Sequence, residues 1–221
     1  MPDTKHIALV LGASGLIGKE TLNLLLENNK YKTIYAITRK SLGINHPKLT
    51  EIIADMTTVD EALKELQVDH LFSAIGSTKA KTPDKKQYYE IDLEYPLKVA
   101  KSLHQNGCNT LCLVSSMGAD ANSSNFYLEL KGKVEKAMQA VGFRSVHLFR
   151  PSLLLGKRKE KRFFEQLGQV LFPVISFLFI GKLKDYKGIQ AKDVASAMVN
   201  VATQGNTGIH IYQTQLIKEL A

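Results

Sequence analysis

The chain has 221 residues, of which 44% are hydrophobic and 23% charged, and a formal net charge of +8. That length suits one α/β domain with a sizeable core, and the composition excludes a disordered, fibrous or collagen-like chain. The positive balance allows an anionic partner without choosing one.

Residues 7–11, IALVL, read as a buried strand, and GASGLIG at 12–18 follows directly. The next helix covers 16–27, with apolar residues at 16, 17, 22, 25 and 26. A strand at 33–38 runs into Thr38-Arg39-Lys40. A short strand at 51–54 stops at Asp55-Met56 and is followed by a helix at 59–66. Residues 71–75 form the fourth strand, which ends at Gly76. A long helix at 85–105 carries Pro96 and should bend there. Its Asp92 and the pair Tyr88-Tyr89 read as surface and packing residues.

A strand at 110–115, a helix at 127–141 and a strand at 145–149 follow, the last ending at Arg150-Pro151. An apolar helix within 160–180, a helix at 191–203 and a strand at 208–212 complete the order. Continuously apolar strands alternating with helices predict an α/β fold: a doubly wound parallel sheet of the Rossmann kind, in three layers. No linker interrupts the pattern. A single domain over 1–221 is expected, with residues after about 151 completing the substrate side of the pocket.

Nothing at the N-terminus resembles a signal peptide, and the apolar stretch 170–180 is shorter than the ~20 residues of a membrane span. A cytoplasmic protein without a membrane span is expected. Cys108 and Cys112 have neither zinc nor redox spacing and read as reduced and structural. The six histidines show no ligand spacing, so no metal site is expected. Asn122-Ser123-Ser124 reads as loop. The basic cluster at 157–162 reads as a solvated helix start or as a phosphate contact in the protein's own ligand site. No nucleic-acid partner is expected.

In a doubly wound sheet, ligands bind beyond the carboxyl ends of the strands. There Gly12 supplies a tight turn, Gly15 lets the backbone approach a pyrophosphate, and Gly18 lets the helix pack on the strand. Free N–H groups at the helix start face the anion. A protein selective for NAD usually places a carboxylate about 20 residues past the glycines, on the ribose 2′-hydroxyl. This chain has Arg39 and Lys40 there, which suit a 2′-phosphate, Arg39 as a bidentate fork. The expected cofactor is therefore NADP(H).

Tyr127 and Lys131, in YLELK, share one helix face at i, i+4. An ammonium beside a phenol favours the phenolate and brings the group toward acid-base work at neutral pH. Ser115-Ser116, ending the preceding strand, offers a hydrogen bond to a carbonyl.

Together GASGLIG, TRK, Asp55, AIGST, VSSMGAD, YLELK and RPSLLLG make the chain resemble an atypical short-chain dehydrogenase/reductase over nearly its whole length. The run SSMGADANSSNFYLELKGKVE with FRPSLLLG is especially similar to the Tat-interacting-protein oxidoreductase branch. The resemblance implies that Ser14, Gly15, Leu16 and Ile17 line the pyrophosphate turn and that Arg39 and Lys40 hold the 2′-phosphate. It places Asp55 and Met56 at the adenine, and Ile75 and Gly76 along the ribose and nicotinamide. Tyr127 becomes the proton donor or acceptor and Lys131 the ribose-binding cation. Ser116 orients the carbonyl, or Ser115 if the register slips. Leu154 and Arg162 close the pocket.

The implied activity is hydride transfer between NADP(H) and a small carbonyl or alcohol substrate. A non-catalytic NADP(H)-binding regulator acting through a protein partner is the alternative. A homodimer is compatible with either.

Overall fold

The structure, a computed structural model, describes residues 5–77, 82–155 and 188–221. Its strands are β1 (His6–Leu11), β2 (Tyr31–Thr38), β3 (Leu49–Ile53), β4 (His70–Ser73), β5 (Thr110–Val114), β6 (Ser145–Arg150), β7 (Leu154–Leu155), β8 (Ile189–Gln190) and β9 (Gly208–Gln213). Seven form one parallel sheet in the order β3-β2-β1-β4-β5-β6-β9, while β7 and β8 pair separately. After β3 the chain crosses back to the far side of β1. The crossovers therefore leave β1 and β4 in opposite directions, and a crevice opens beyond their carboxyl ends. This is the doubly wound α/β fold that the alternation of elements predicts.

Strand alternation divides the core into two layers. Ala8 and Val10 of β1 join a cluster with Leu22 and Leu25 of α1 (Leu16–Glu27) and Val194 and Met198 of α6 (Ala191–Ala202). Leu9 and Leu11 point oppositely. They meet Val99 and Leu103 of α4 (Tyr95–Gln105) and Leu130 and Val134 of α5 (Phe126–Gln139). The helix α1 has the predicted bounds, and other element ends lie within a few residues of expectation. The β7–β8 ladder and the last helix α7 (Thr214–Glu219) go beyond the expected elements. Two-residue strands are too short to show a period. The expected helix within 160–180, the basic cluster at 157–162 and Arg162 lie outside the described residues.

The long helix expected at 85–105 is divided. A first part, α3 (Lys85–Tyr89), passes into a π-helical turn at Glu90–Glu94 before α4. Across that turn the Tyr95 N–H bonds to the Glu90 carbonyl, five residues back. Pro96 has no N–H, and its ring crowds the carbonyl four residues earlier, that of Asp92. A wider turn relieves that crowding. Asp92, within it, is buried at 2% exposure on the face it shares with Tyr88, Val99 and Leu103.

On the α1/α6 face the sheet carries two buried histidine–tyrosine pairs. Tyr31 Oη and His70 Nδ1 are 2.8 Å apart, as are Tyr212 Oη and His147 Nδ1. Burial, helped by the neighbouring His6, pushes the His70 imidazole down to about 4. Burial and then His210 do the same to His147, also to about 4. Both rings are thus neutral in the folded protein, while the unfolded chain binds protons near the ordinary value of about 6.5. Stability is therefore complete above pH ~6.5 and falls as pH drops toward 4, by about 2–3 kcal/mol for each ring. Urea unfolding at a series of pH values should show this slope, and His70→Asn should remove about half of it. An unchanged slope in that variant would sink the assignment.

Candidate active site

The crevice holds a cavity of about 520 Å³, and its first wall is the glycine turn. Gly12 has φ +90°, and a Cβ there would lie 2.7 Å from the backbone of Ala74 and Ile75, so only glycine fits. Gly15 donates its N–H to the Gly12 carbonyl at 2.9 Å and caps α1. Among the described residues a Cβ on Gly15 would meet two carbonyl oxygens, Gly12 at 3.1 Å and Ala74 at 3.8 Å. No side chain caps the start of α1, and its first turn holds no acid, which leaves the N–H groups suited to an anion. Gly18 packs against the Gly12 carbonyl oxygen, which a Cβ would overlap. Gly12, Ser14 and Gly15 line the cavity. Leu16, Ile17 and Gly18 lie behind them in α1, Ile17 and Gly18 buried.

Arg39, Asp55 and Met56 line the second wall beyond β2 and β3, whereas the exposed Lys40 does not. Asp55 Oδ1 accepts the Thr57 hydroxyl at 2.6 Å and the N–H groups of Thr57 and Thr58 at 2.8 and 3.2 Å. Those bonds, the Thr57 side chain first, hold its carboxyl below the usual carboxylate range. Lys98 Nζ donates to the Met56 carbonyl at 2.9 Å and tethers this loop to α4. Thr38 also lines this wall, and its Oγ1 is buried without a hydrogen-bond partner among the described residues. Ile75 and Gly76 form the floor after β4. Thr82, Gln87, Glu90, Ile91 and Tyr95 complete the lining from the region of the π turn, and sequence reasoning missed them. Pro96 inside a helical pattern was the signal that could have found the turn.

Behind the floor stands α5. Asn125 caps it, its side chain accepting the N–H groups of Tyr127 and Leu128 at 3.0 and 3.2 Å. Tyr127 is half-buried and Lys131 buried one turn on, its Nζ 5.8 Å from the centre of the tyrosine ring. Lys131 Nζ donates to Asp92 Oδ2 at 3.0 Å, so Asp92 is no surface residue as its sequence setting had implied. Ser115 Oγ donates to Glu135 Oε1 at 2.5 Å, and Arg150 grips the same carboxylate through Nε at 2.9 Å and Nη2 at 2.5 Å. Ser115 thus belongs to the scaffold. The Ser116 hydroxyl makes a 3.3 Å bond to the Met117 carbonyl.

Ser116, Tyr127 and Lys131 are not among the residues that line the cavity. Leu154 pairs with Ile189 in the short ladder and packs on the core, away from the cavity wall. Cys108 and Cys112 are free and buried. Among the described residues no cluster of three potential metal ligands occurs, and no helix is long and apolar enough to cross a membrane.

Sheet order and glycine turn define a protein of the Rossmann class. The chain belongs to the NAD dependent epimerase/dehydratase family, whose profile matches residues 8–213. It is 32% identical over 204 residues to the protein FMP52, mitochondrial, of Candida glabrata, a match spanning 91% of this chain and 87% of the relative. The protein of the same name from Candida albicans is 31% identical over 206 residues, covering 90% and 89%. Among solved structures the Bordetella bronchiseptica enzyme WbmH, in complex with NAD+, superposes with a TM-score of 0.70 at 19% identity. That match covers 95% of this chain and 76% of WbmH. The relatives' names place them in mitochondria, which overturns the expectation of a cytoplasmic protein.

Proposed function

We propose that this chain is an NADP(H)-dependent oxidoreductase of the atypical short-chain type, similar to the Tat-interacting-protein oxidoreductase branch, that acts on a small carbonyl or alcohol. The observation that carries this reading is the Tyr127–Lys131 pair on α5, with the Lys131 ammonium directly behind the Gly76 floor of a glycine-turned cleft. The residues fit a dinucleotide: a backbone cradle at Gly12 and Gly15, and a helix start without a side-chain cap among the described residues. When bound, the nicotinamide supplies or accepts the hydride. Arg39 holds the 2′-phosphate, with Lys40 adding charge from the rim, and Asp55 and Met56 border the adenine. Ser116 donates a hydrogen bond that orients the substrate oxygen. Tyr127 gives its proton to that oxygen in reduction and takes one from it in oxidation, and Lys131 binds the ribose.

The single-domain reading is supported by a core that joins Leu22 to Met198 across most of the chain. Residues after about 151 serve the substrate side.

The arginine is the test. NADPH should bind at least about tenfold tighter than NADH by titration calorimetry, and Arg39→Ala should remove most of that preference. Equal affinities in the parent protein would refute the NADP(H) assignment. A carbonyl panel followed by NADPH oxidation then separates the two classes of function. Tight NADPH binding with no turnover anywhere in the panel selects a regulatory NADP(H)-binding protein. That none of Ser116, Tyr127 and Lys131 lines the cavity favours that second reading.

A further inference from the structure

The Ser-Tyr-Lys reading asks for no carboxylate, yet one is built into the site. The Asp92 side chain is fully enclosed, and a carboxylate so placed must be paired. Both of its oxygens are committed. Oδ2 accepts Lys131 Nζ at 3.0 Å, and Oδ1 accepts the Ser77 N–H at 2.6 Å. Asp92 enters the interior from within the π turn, on the helix face it shares with Tyr88, Val99 and Leu103. Gly76 completes the arrangement, because a Cβ on it would stand 3.3 Å from both Asp92 Oδ2 and Lys131 Nζ. Its bare backbone lets the ion pair reach the underside of the cavity floor. Ser77 is held twice more: its carbonyl accepts Tyr88 Oη at 2.8 Å, and its hydroxyl lies 2.5 Å from that of Thr82.

We propose that Asp92 is a positioning residue, whose one oxygen anchors the Lys131 ammonium beneath the Gly76–Ser77 turn while the other fixes the turn itself. The lysine and the cavity floor are thereby set as one unit before any ligand arrives. The inference rests on the dinucleotide reading of the cleft, in which Lys131 meets the ribose.

Electrostatics give the arrangement a measurable signature. Burial is the largest single influence on Lys131 and works against its charge, but Asp92, Tyr127 and Glu135 together outweigh it, Asp92 foremost, and the group is held above the usual lysine range. These are the titratable groups that face the ammonium. Tyr127 and Glu135 stand on its own helix, and Glu135 is already paired with Arg150. Tyr88 faces Asp92 from α3. With the Asp92 charge removed, burial dominates and the lysine gives up its proton more readily.

Two measurements test this. In the unliganded wild-type protein carrying 13C-labelled lysine, the Lys131 signal is assigned by its absence from Lys131→Arg. It should remain that of an ammonium near pH 10.4, where exposed lysines are about half titrated. Titration together with the exposed lysines, or before them, would overturn the proposal without reference to any cofactor. In Asp92→Asn, NADPH affinity should fall at least about tenfold between pH 7 and about 9.5, while the wild type stays within about threefold. A loss equal at every pH would show a merely structural role and overturn the proposal. If Asp92→Asn does not fold, the wild-type titration decides alone. A wild type that binds no NADPH at any pH sinks the dinucleotide reading, and the lysine titration still judges Asp92.

Discussion

Tyr127→Phe is expected to lower carbonyl turnover at least about a hundredfold and to leave NADPH affinity within about threefold. The substitution removes a single oxygen. The helix start survives, because Asn125 caps the backbone N–H groups of Tyr127 and Leu128 and not the phenol. Contact between the Lys131 ammonium and the aromatic ring survives as well. What is lost is the group that passes a proton to the substrate oxygen. Steady-state NADPH oxidation reads the turnover, and calorimetry reads the affinity. Unimpaired turnover in the Phe variant would remove Tyr127 from the chemistry.

A larger structural effect is expected one residue beyond the lysine. A Cβ at Gly132 would overlap the backbone nitrogen of Ala121 and the carbonyl carbon of Asp120, and would lie 2.7 Å from Asp120 Cα. Backbone cannot swing aside as a flexible side chain does. The loop is also tied to α5 by the Asp120 N–H, which bonds the Leu128 carbonyl at 3.1 Å. Gly132→Ala should therefore cost about 4 kcal/mol or prevent folding altogether. Gly205→Ala is the comparison, since Gly205 has φ +72° with nothing within 4 Å of a Cβ. It should cost only about 1 kcal/mol, the strain of the left-handed backbone. Urea unfolding compares the two, and a Gly132→Ala protein within about 1 kcal/mol of wild type would refute the close approach of loop and helix.

Gly132 also shows where the sequence stops being readable. A lone glycine inside a helical run reads as a weakness, and only the loop folded against it reveals a requirement. The glycine turn was legible because its signal is local: an apolar run, three glycines and a helix that all agree. Asp92 was not legible. At an ordinary helical period it shares the face of Tyr88, Val99 and Leu103, but a lone acid reads as exposed, and the lysine that pairs with it lies 39 residues away. The choice between Ser115 and Ser116 was equally closed, because the strand ends at Val114 and alternation gives no guide beyond it. Ser115 is claimed by Glu135, 20 residues away, whose carboxylate Arg150 holds in turn. For Leu154 the resemblance implied a place at the pocket, and a ladder too short to predict holds it against the core instead.

The partnership of α1 with α6 bears on how the molecule is made. Leu22, Leu25 and Leu26 share a cluster with Val194, Met198 and Val201, and more than 160 residues separate the end of α1 at 27 from the start of α6 at 191. At roughly 5–20 residues per second, synthesis of the intervening chain takes on the order of ten to thirty seconds. For that time the first strand and helix have emerged while much of their apolar cover has not been translated. The edge of β6 waits in the same way for β9, since His147 pairs with His210. The nascent polypeptide thus spends most of its synthesis as an open half-layer with an unshielded greasy face and an unfilled strand edge, a natural client for chaperones that hold such surfaces apart.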